Sequence, residues 1–200
     1  MMKPHTLTAV ALLALTLTAC SSRRETEPPR SATEQLLFST AADRAADKLA
    51  FNLQPGTRVF VDPANVEGVD SKYLLSAIRD RILRRGGELT DKKDDAELVV
   101  EPRIGAISVD ADRTLFGTPA IPVPLVGLQV PEVALFKRSH QQGVIKVAAT
   151  AYNAKTGRLV QSLDPVYGFS NRKDWTALIF FSWGSTDLMP EEDKKDWVGN

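Results

Sequence analysis

The residues that could support catalysis are few and unfavourably spaced in this chain of 200 residues. A serine or cysteine nucleophile needs a base beside it, and the only histidines are His5 and His140. His140 lies in a polar stretch ahead of a predicted strand, which indicates a surface position. Ser170 and Lys173 have the spacing of a serine nucleophile and a lysine base, but the Lys-Thr-Gly that should follow them precedes them, at residues 155–157. We therefore expect no catalytic residue.

Metal and cofactor sites lack their usual residues as well. Zinc is usually held by several His and Cys ligands, and the sequence has one cysteine and two histidines. Asp110 and Asp112 could open a calcium-binding loop. However, Thr114 and Leu115 occupy the positions where that loop requires an acid or amide and a glycine. No glycine-rich phosphate loop or dinucleotide-binding fingerprint occurs. We expect neither a metal nor a cofactor.

The single cysteine, Cys20, ends a mostly apolar stretch of eleven residues, 9–19. This stretch is too short to span a bilayer, which takes about 20 residues, but it fits the core of a secretory signal. Its end, Leu17-Thr18-Ala19-Cys20, resembles the lipobox of bacterial lipoproteins. The resemblance implies that residues 1–19 are a signal peptide, and that Cys20 receives a diacylglycerol and becomes an acylated, palmitate-bearing mature N-terminus.

The residues after Cys20 indicate where such an anchor would place the protein. Two or three acyl chains hold a protein permanently, because each buried CH₂ contributes about 0.8 kcal/mol. Ser21 stands where an Asp would, by resemblance to enterobacterial sorting, favour the inner membrane. We therefore expect an outer-membrane lipoprotein that faces the periplasm. Residues 20–30 carry two adjacent prolines and no side chain suited to a core, so they are predicted to be a flexible tether.

Two amphipathic helices are predicted beyond the tether. In the first, small and apolar residues recur at four-residue intervals at Leu37, Ala41, Ala45 and Leu49. This small-residue face favours close packing inside the domain over a partner surface. The second helix is capped by Asp70 or Ser71 and followed by a glycine pair that can end it, and its apolar positions are Leu74, Ile78 and Ile82.

Strand patterns surround the second helix and follow it. A short strand is predicted over residues 58–62, and an extended run over 97–109 contains Pro102, which requires an edge position or a bulge. A further strand over 143–152 is followed by a hairpin loop at 153–157 and a returning strand.

These elements predict an α+β fold with one mixed or mainly antiparallel sheet and two principal helices packed on it. A strand-helix-strand unit would come first and a C-terminal hairpin would follow. Residues 31–189 would form a single α/β periplasmic domain, and residues 190–200 a polar tail.

The tract 117–131 differs from the rest because four prolines interrupt its apolar residues. Such a segment cannot be a regular helix, and its apolar side chains need cover. Three interpretations stay open: a loop folded across the domain's own sheet, a self-association or partner surface, and a segment that contacts lipid. If the tract is an interaction surface, its contact residues are Ile121, Val123, Leu125 and Leu128.

Several short tracts together resemble an uncharacterised family of bacterial outer-membrane lipoproteins with a domain of unknown function. They are residues 33–37, Asp43-Arg44-Ala45, residues 59–62, the Gly-x-Pro…Ile-Pro tract at 117–122, and Thr156-Gly157. This resemblance implies no catalytic residue. The order strand-helix-strand after a lipidated tether is also similar to the periplasmic α/β domains of curli-secretion and penicillin-binding-protein-activator lipoproteins, although fold analogy is a weak guide to function.

Charge and organisation together favour an envelope role without catalysis. The 25 basic and 25 acidic residues cancel, so no overall positive field would attract nucleic acid. We expect a non-enzymatic protein-interaction or envelope-assembly module that contacts membrane lipid through acylated Cys20 and binds another protein or itself. Two alternatives stay open: an envelope hydrolase or small-ligand carrier, and a subunit of an oligomeric outer-membrane assembly.

Overall fold

The computed structural model describes residues 30–66, 71–123 and 128–195. Within them lie two α-helices, α1 (Ala32–Lys48) and α2 (Ser71–Arg84). The eight strands are β1 (Arg58–Val61), β2 (Glu88–Leu89), β3 (Leu98–Thr118), β4 (Ile121–Val123), β5 (Leu128–Val130), β6 (Val133–Asn153), β7 (Leu159–Ala177) and β8 (Phe181–Thr186). Short 3-10 turns occupy Lys93–Asp95 and Asp193–Lys195.

Six of the strands form one mixed sheet in the order β2-β1-β3-β6-β7-β8. β1 pairs in parallel with both β2 and β3, and every pairing from β3 to β8 is antiparallel. β4 and β5 form a separate antiparallel pair. The α+β class, the mixed sheet and its two helices are therefore confirmed, as is the hairpin of β6 and β7.

The core lies between the helices and one face of the sheet. Helix α1 packs on β6 and β7 through its small residues, and the approach is so close that a Cβ on Gly168 would lie 1.8 Å from the carbonyl oxygen of Ala41. This confirms that the small-residue face serves close packing within the domain. The cluster of buried side chains joins both helices to the sheet and includes Leu49, Val61, Leu74, Ile78, Ile82, Val100, Ile145 and Val147.

The turns that glycines were predicted to form are present. Gly86 follows α2 with a φ of 86°, and Gly157 takes a φ of 68° in the loop between β6 and β7. In that loop the side-chain oxygen of Asn153 accepts hydrogen bonds from the backbone N–H groups of Lys155 and Thr156. Pro102 lies on the part of β3 that has only β6 as a neighbour within the described residues, which confirms the predicted edge position.

Two strands are much longer than the sequence predicts. β3 continues to residue 118 instead of ending near 109, and β6 begins at residue 133 instead of 143. The prediction was wrong because mostly polar side chains occupy both faces over residues 110–114 and 137–142, so no apolar alternation marks these parts of the strands. Cross-strand pairing continues through them, and one row joins Asp112, His140 and Lys173.

Candidate functional site

The residues proposed from sequence as an interaction surface lie beyond the end of β3, as far as they are described. Ile121 and Val123 belong to β4 and Leu128 to β5, where Val123 pairs with Leu128. The side chain of Ile121 is 47% exposed. Leu125 lies outside the described residues, as does Cys20. The described parts of the tract are extended strands, as its prolines predict.

The structure does not bring Ser170 and Lys173 together. Ser170 is buried, and its Oγ donates a hydrogen bond of 2.5 Å to the carbonyl oxygen of Leu37 in α1. Lys173 lies three residues further along the same strand, so its side chain points to the opposite face. The Lys-Thr-Gly sequence belongs to the turn after β6. A serine nucleophile and a lysine base are therefore not assembled from these residues.

His140 lies inside β6 and not ahead of a strand, so its predicted place in the sequence of elements is wrong. It is half-buried, and its Nε2 is 3.2 Å from the side-chain oxygen of Asn171. Asp110 and Asp112, which could have opened a calcium loop, are strand residues of β3. Among the described residues, no three His, Cys, Asp or Glu side chains converge as metal ligands would.

The segments that sequence reasoning missed form a projecting part of the sheet, which we call the distal sheet: residues 110–118, 133–142, 171–177 and 181–186. Helix α1 reaches the sheet at Ser170 and Gly143, where the distal sheet begins. The face that continues from Ser170 is polar and holds the ion pair of Arg172 with Asp174, at 2.9 Å. At its base, Arg44 of α1 contacts Asp187, also at 2.9 Å.

Large apolar side chains are exposed where the distal sheet ends. On the face away from α1, Phe116 and Phe136 pair across β3 and β6, and the same row continues through Ala177 to Phe181. The turn between β7 and β8 adds Phe180, which is 83% exposed. We call this surface the apolar end; its members are Phe116, Ile121, Val130, Val133, Leu135, Phe136, Leu178, Ile179, Phe180 and Phe181, all at least 40% exposed.

Within the apolar end, the β7–β8 turn is joined to β6 because backbone hydrogen bonds continue past the last residues of β7. The N–H groups of Leu178 and Ile179 donate to the carbonyl oxygens of Leu135 and Ala134 in β6, at 2.9 and 3.0 Å. Exposed apolar groups clustered in this way mark interaction sites more often than scattered ones do. The sequence signal that could have revealed them is the aromatic-rich stretch 175–183, but its partners on β3 and β6 are set by register.

A layered order of side chains follows the Phe row away from the apolar end. The next row on the same face joins Arg138 to Trp175 and Trp183, whose rings stack with centroids 6.3 Å apart. The row after that contains His140 and Lys173 with Asp112 of β3. The face therefore changes from phenylalanine to tryptophan and then to charged groups over four residues of strand.

Both long edges of the distal sheet lack a strand neighbour within the described residues. β3 is paired with β1 only over residues 98–100, so residues 101–118 have β6 alone as a neighbour. β8 is the last strand of the sheet and pairs only with β7. Unpaired N–H and C=O groups along such edges are available to a strand from another chain.

Residues 14–180 match a family of unknown function, DUF6655. The chain belongs to this family. The match runs from the apolar stretch before Cys20 through both helices and β1 to β7, and it includes most of the apolar end. No curated protein matches the chain significantly. No helix among the described residues of this DUF6655 protein has the length and apolar character that a membrane span requires.

Proposed function

We propose that this DUF6655 protein is a lipid-anchored, non-enzymatic module of the Gram-negative envelope. Acylated Cys20 holds it at the outer membrane, facing the periplasm, and β8 binds a protein partner by accepting a strand from it. The observation that carries the proposal is the open edge of β8 on a projecting sheet. Strand addition to such an edge supplies affinity through main-chain hydrogen bonds.

The composition of β8 supports its choice as the binding edge. Natural sheet edges are shielded by lysine, proline or other charged residues. β8 reads Phe-Ser-Trp-Gly-Ser-Thr and contains none of them. The open edge of β3 carries Pro102, Asp110, Asp112 and Arg113, and these residues disfavour the addition of a strand there.

The proposed envelope location rests on the lipobox-like end of the apolar stretch and on the fold. β1 and β3 are parallel neighbours, with α2 between them in the sequence. This pairing supports a strand-helix-strand unit like that of the curli-secretion and penicillin-binding-protein-activator lipoproteins. Likeness of fold does not carry a function, so the anchor and the edge are tested directly.

Metabolic labelling tests the anchor. Cells that express the full chain are fed labelled palmitate, and the outer membrane is separated from the inner membrane. We expect label on the wild-type protein in the outer-membrane fraction and none on Cys20→Ser. Wild-type protein without label would contradict the lipid anchor.

Site-specific photocrosslinking in intact cells tests the edge. A photoreactive residue at Ser185 should give one discrete adduct, and Ser182→Lys should abolish it because the lysine adds the charge that guards natural edges. Ser162→Lys, an exposed position on β7 far from the distal sheet, is the matched control and should leave the adduct unchanged. An adduct of twice the chain mass identifies self-association. An adduct that survives Ser182→Lys would show that β8 is not the binding edge.

A further inference from the structure

The apolar end presents its side chains in an order that matches the layers of a lipid bilayer. We propose that it enters the membrane that carries the anchor, so that the protein contacts lipid at two points. This inference rests on the proposed lipid anchor. It assigns lipid to the apolar end, which includes Phe181 at the start of β8, and leaves residues 184–186 of the β8 edge to the protein partner.

The rows of the distal sheet match the depth profile of a membrane interface. Side chains on one face of a strand repeat every two residues, or about 7 Å. The row of Phe116, Phe136 and Phe181 is therefore the last row that all four strands of the distal sheet share, the stacked tryptophans follow about 7 Å behind, and His140 and Lys173 follow about 14 Å behind. Phenylalanine favours the acyl region, tryptophan the headgroup boundary, and charged residues the water beyond.

Arg138 fits the same profile. It lies in the tryptophan row and makes no ion pair within the described residues. A long basic side chain at this level can extend its guanidinium to lipid phosphates while its stem stays in the apolar layer. On the other face, Lys137 pairs with Glu132 at 2.6 Å, which limits entry to the last turn and the row behind it.

Two residues in the turn between β7 and β8 adopt a backbone conformation that residues of their type rarely adopt. Leu178 and Ile179 both have positive φ, of 49° and 71°. Asn, Asp and Gly are the residues that fit such hairpin turns, and a β-branched residue is an outlier there. Asn and Asp side chains would also be better solvated than those of Leu and Ile. Contact with lipid would explain why this turn exposes Leu178, Ile179 and Phe180.

The length and entry point of the N-terminal chain agree with two contacts on one bilayer. Helix α1 begins on the side of the distal sheet, since Leu37 contacts Ser170 while Ala50, after the helix, contacts Gln161 near the other end of β7. The ten residues 21–30 can span at most about 35 Å. The apolar end stands about 25 Å beyond Ser170, so an anchor at Cys20 can reach the same membrane surface.

Lipid quenching of a single label tests the inference on the full chain. Phe180→Cys introduces a thiol at the apolar end, and Leu159→Cys is the control because Leu159 is 66% exposed at the opposite end of β7. Each variant is purified, labelled with an environment-sensitive fluorophore and reconstituted into phosphatidylethanolamine–phosphatidylglycerol vesicles with or without spin-labelled lipid. We expect at least about threefold stronger quenching at position 180 than at position 159.

Equal quenching at the two positions would overturn the inference. A label at position 180 whose emission shifts to the blue without lipid quenching would also overturn it, because that result indicates a protein partner or a second copy over the apolar end. Acylation of Cys20 is measured on the same samples by mass spectrometry. An acylated chain whose label at position 180 is not quenched supports the anchor and overturns lipid entry. An unacylated chain overturns the anchor, and the quenching is then measured in a Cys20→Ser background, where only position 180 carries the label and its quenching would still support lipid entry.

Discussion

Trp175 and Trp183 stack across β7 and β8, with ring centroids 6.3 Å apart and planes only 12° from parallel. The next pair of residues toward the turn, Thr176 and Ser182, adds a hydroxyl–hydroxyl hydrogen bond of 3.1 Å. Together these contacts hold the β7–β8 hairpin closed directly behind its apolar turn. The tryptophan pair therefore has a structural role as well as its place in the layered face.

Loss of the stacked pair should weaken the hairpin modestly. Trp183→Ala should lower the free energy of unfolding by about 1 kcal/mol, because stacked aromatic pairs contribute about 0.5–1.5 kcal/mol and this one is half exposed. Near-ultraviolet circular dichroism should lose the signal of the coupled indoles, and urea unfolding gives the energy. Trp183→Phe keeps a stacked ring and should lose less stability; an equal loss would argue against stacking.

The contact between α1 and β7 should not tolerate even one added methyl group. Gly168→Ala places a Cβ against the backbone of Ala41, which cannot move aside without displacing the helix. We expect a loss of about 3 kcal/mol in unfolding free energy. Gly157→Asn is the control, because its Cβ meets no atom within 4 Å and asparagine tolerates positive φ. If Gly168→Ala has the same urea midpoint of unfolding as the wild type, the close approach of β7 to α1 is not part of the folded protein.

Asp187 should make stability depend on pH in the acid range. Burial favours its neutral form, but the N–H of Asn171 at 2.7 Å and the guanidinium of Arg44 more than offset this, so the pKa of Asp187 is lowered from its ordinary 3.8. A lowered pKa means that the stabilisation is complete above about pH 3.8 and is lost as the pH falls through the folded value.

The measurement is the unfolding free energy of wild type and Asp187→Asn as a function of pH. The variant should be less stable at pH 7, by roughly 1 kcal/mol because the site is partly exposed, and the gap should narrow below pH 3.8. A gap that stays constant down to pH 2 would show that ionisation of Asp187 contributes nothing.

A charge at the apolar end should weaken its contact with lipid but leave the free energy of unfolding almost unchanged. Phe180→Asp should alter the unfolding free energy by less than about 0.5 kcal/mol, since Phe180 is almost fully exposed. For the lipidated chain in vesicles, quenching of tryptophan fluorescence by brominated lipid should fall by about half. Leu159→Asp is the matched control, and a similar fall in that variant would count against a specific lipid contact.

The elements covered by a helix could be predicted from sequence, and the distal sheet could not. Leu74, Ile78 and Ile82 repeat with the helical period because one side of α2 is buried and the other is wet. β3 beyond residue 109 is exposed on both faces, so its side chains show no such difference. Its strand structure depends on pairing with β6, which is distant in sequence.

The candidate surface was found in part for a related reason. Ile121 could be proposed because prolines surround it, and exposed apolar residues between prolines are conspicuous in a sequence. Phe116, Phe136 and Phe181 are far apart in the chain, and a register shift between Ile104 and Ala106 decides which residues of β3 and β6 meet in this row. Since a slip of one residue would send each side chain to the opposite face, no inspection of the sequence could place the three in one row.

The unbroken course of β7 from beneath α1 to the turn at Leu178 also fixes a distance. About seven residues of continuous strand separate Ser170 from Ala177, and they carry no hinge because β6 and β8 flank them. If the turn is inserted in lipid, the sheet is a rigid spacer that holds the helical layer roughly 20 Å above the membrane surface. The height at which a partner could meet β8 would then be set by strand length alone.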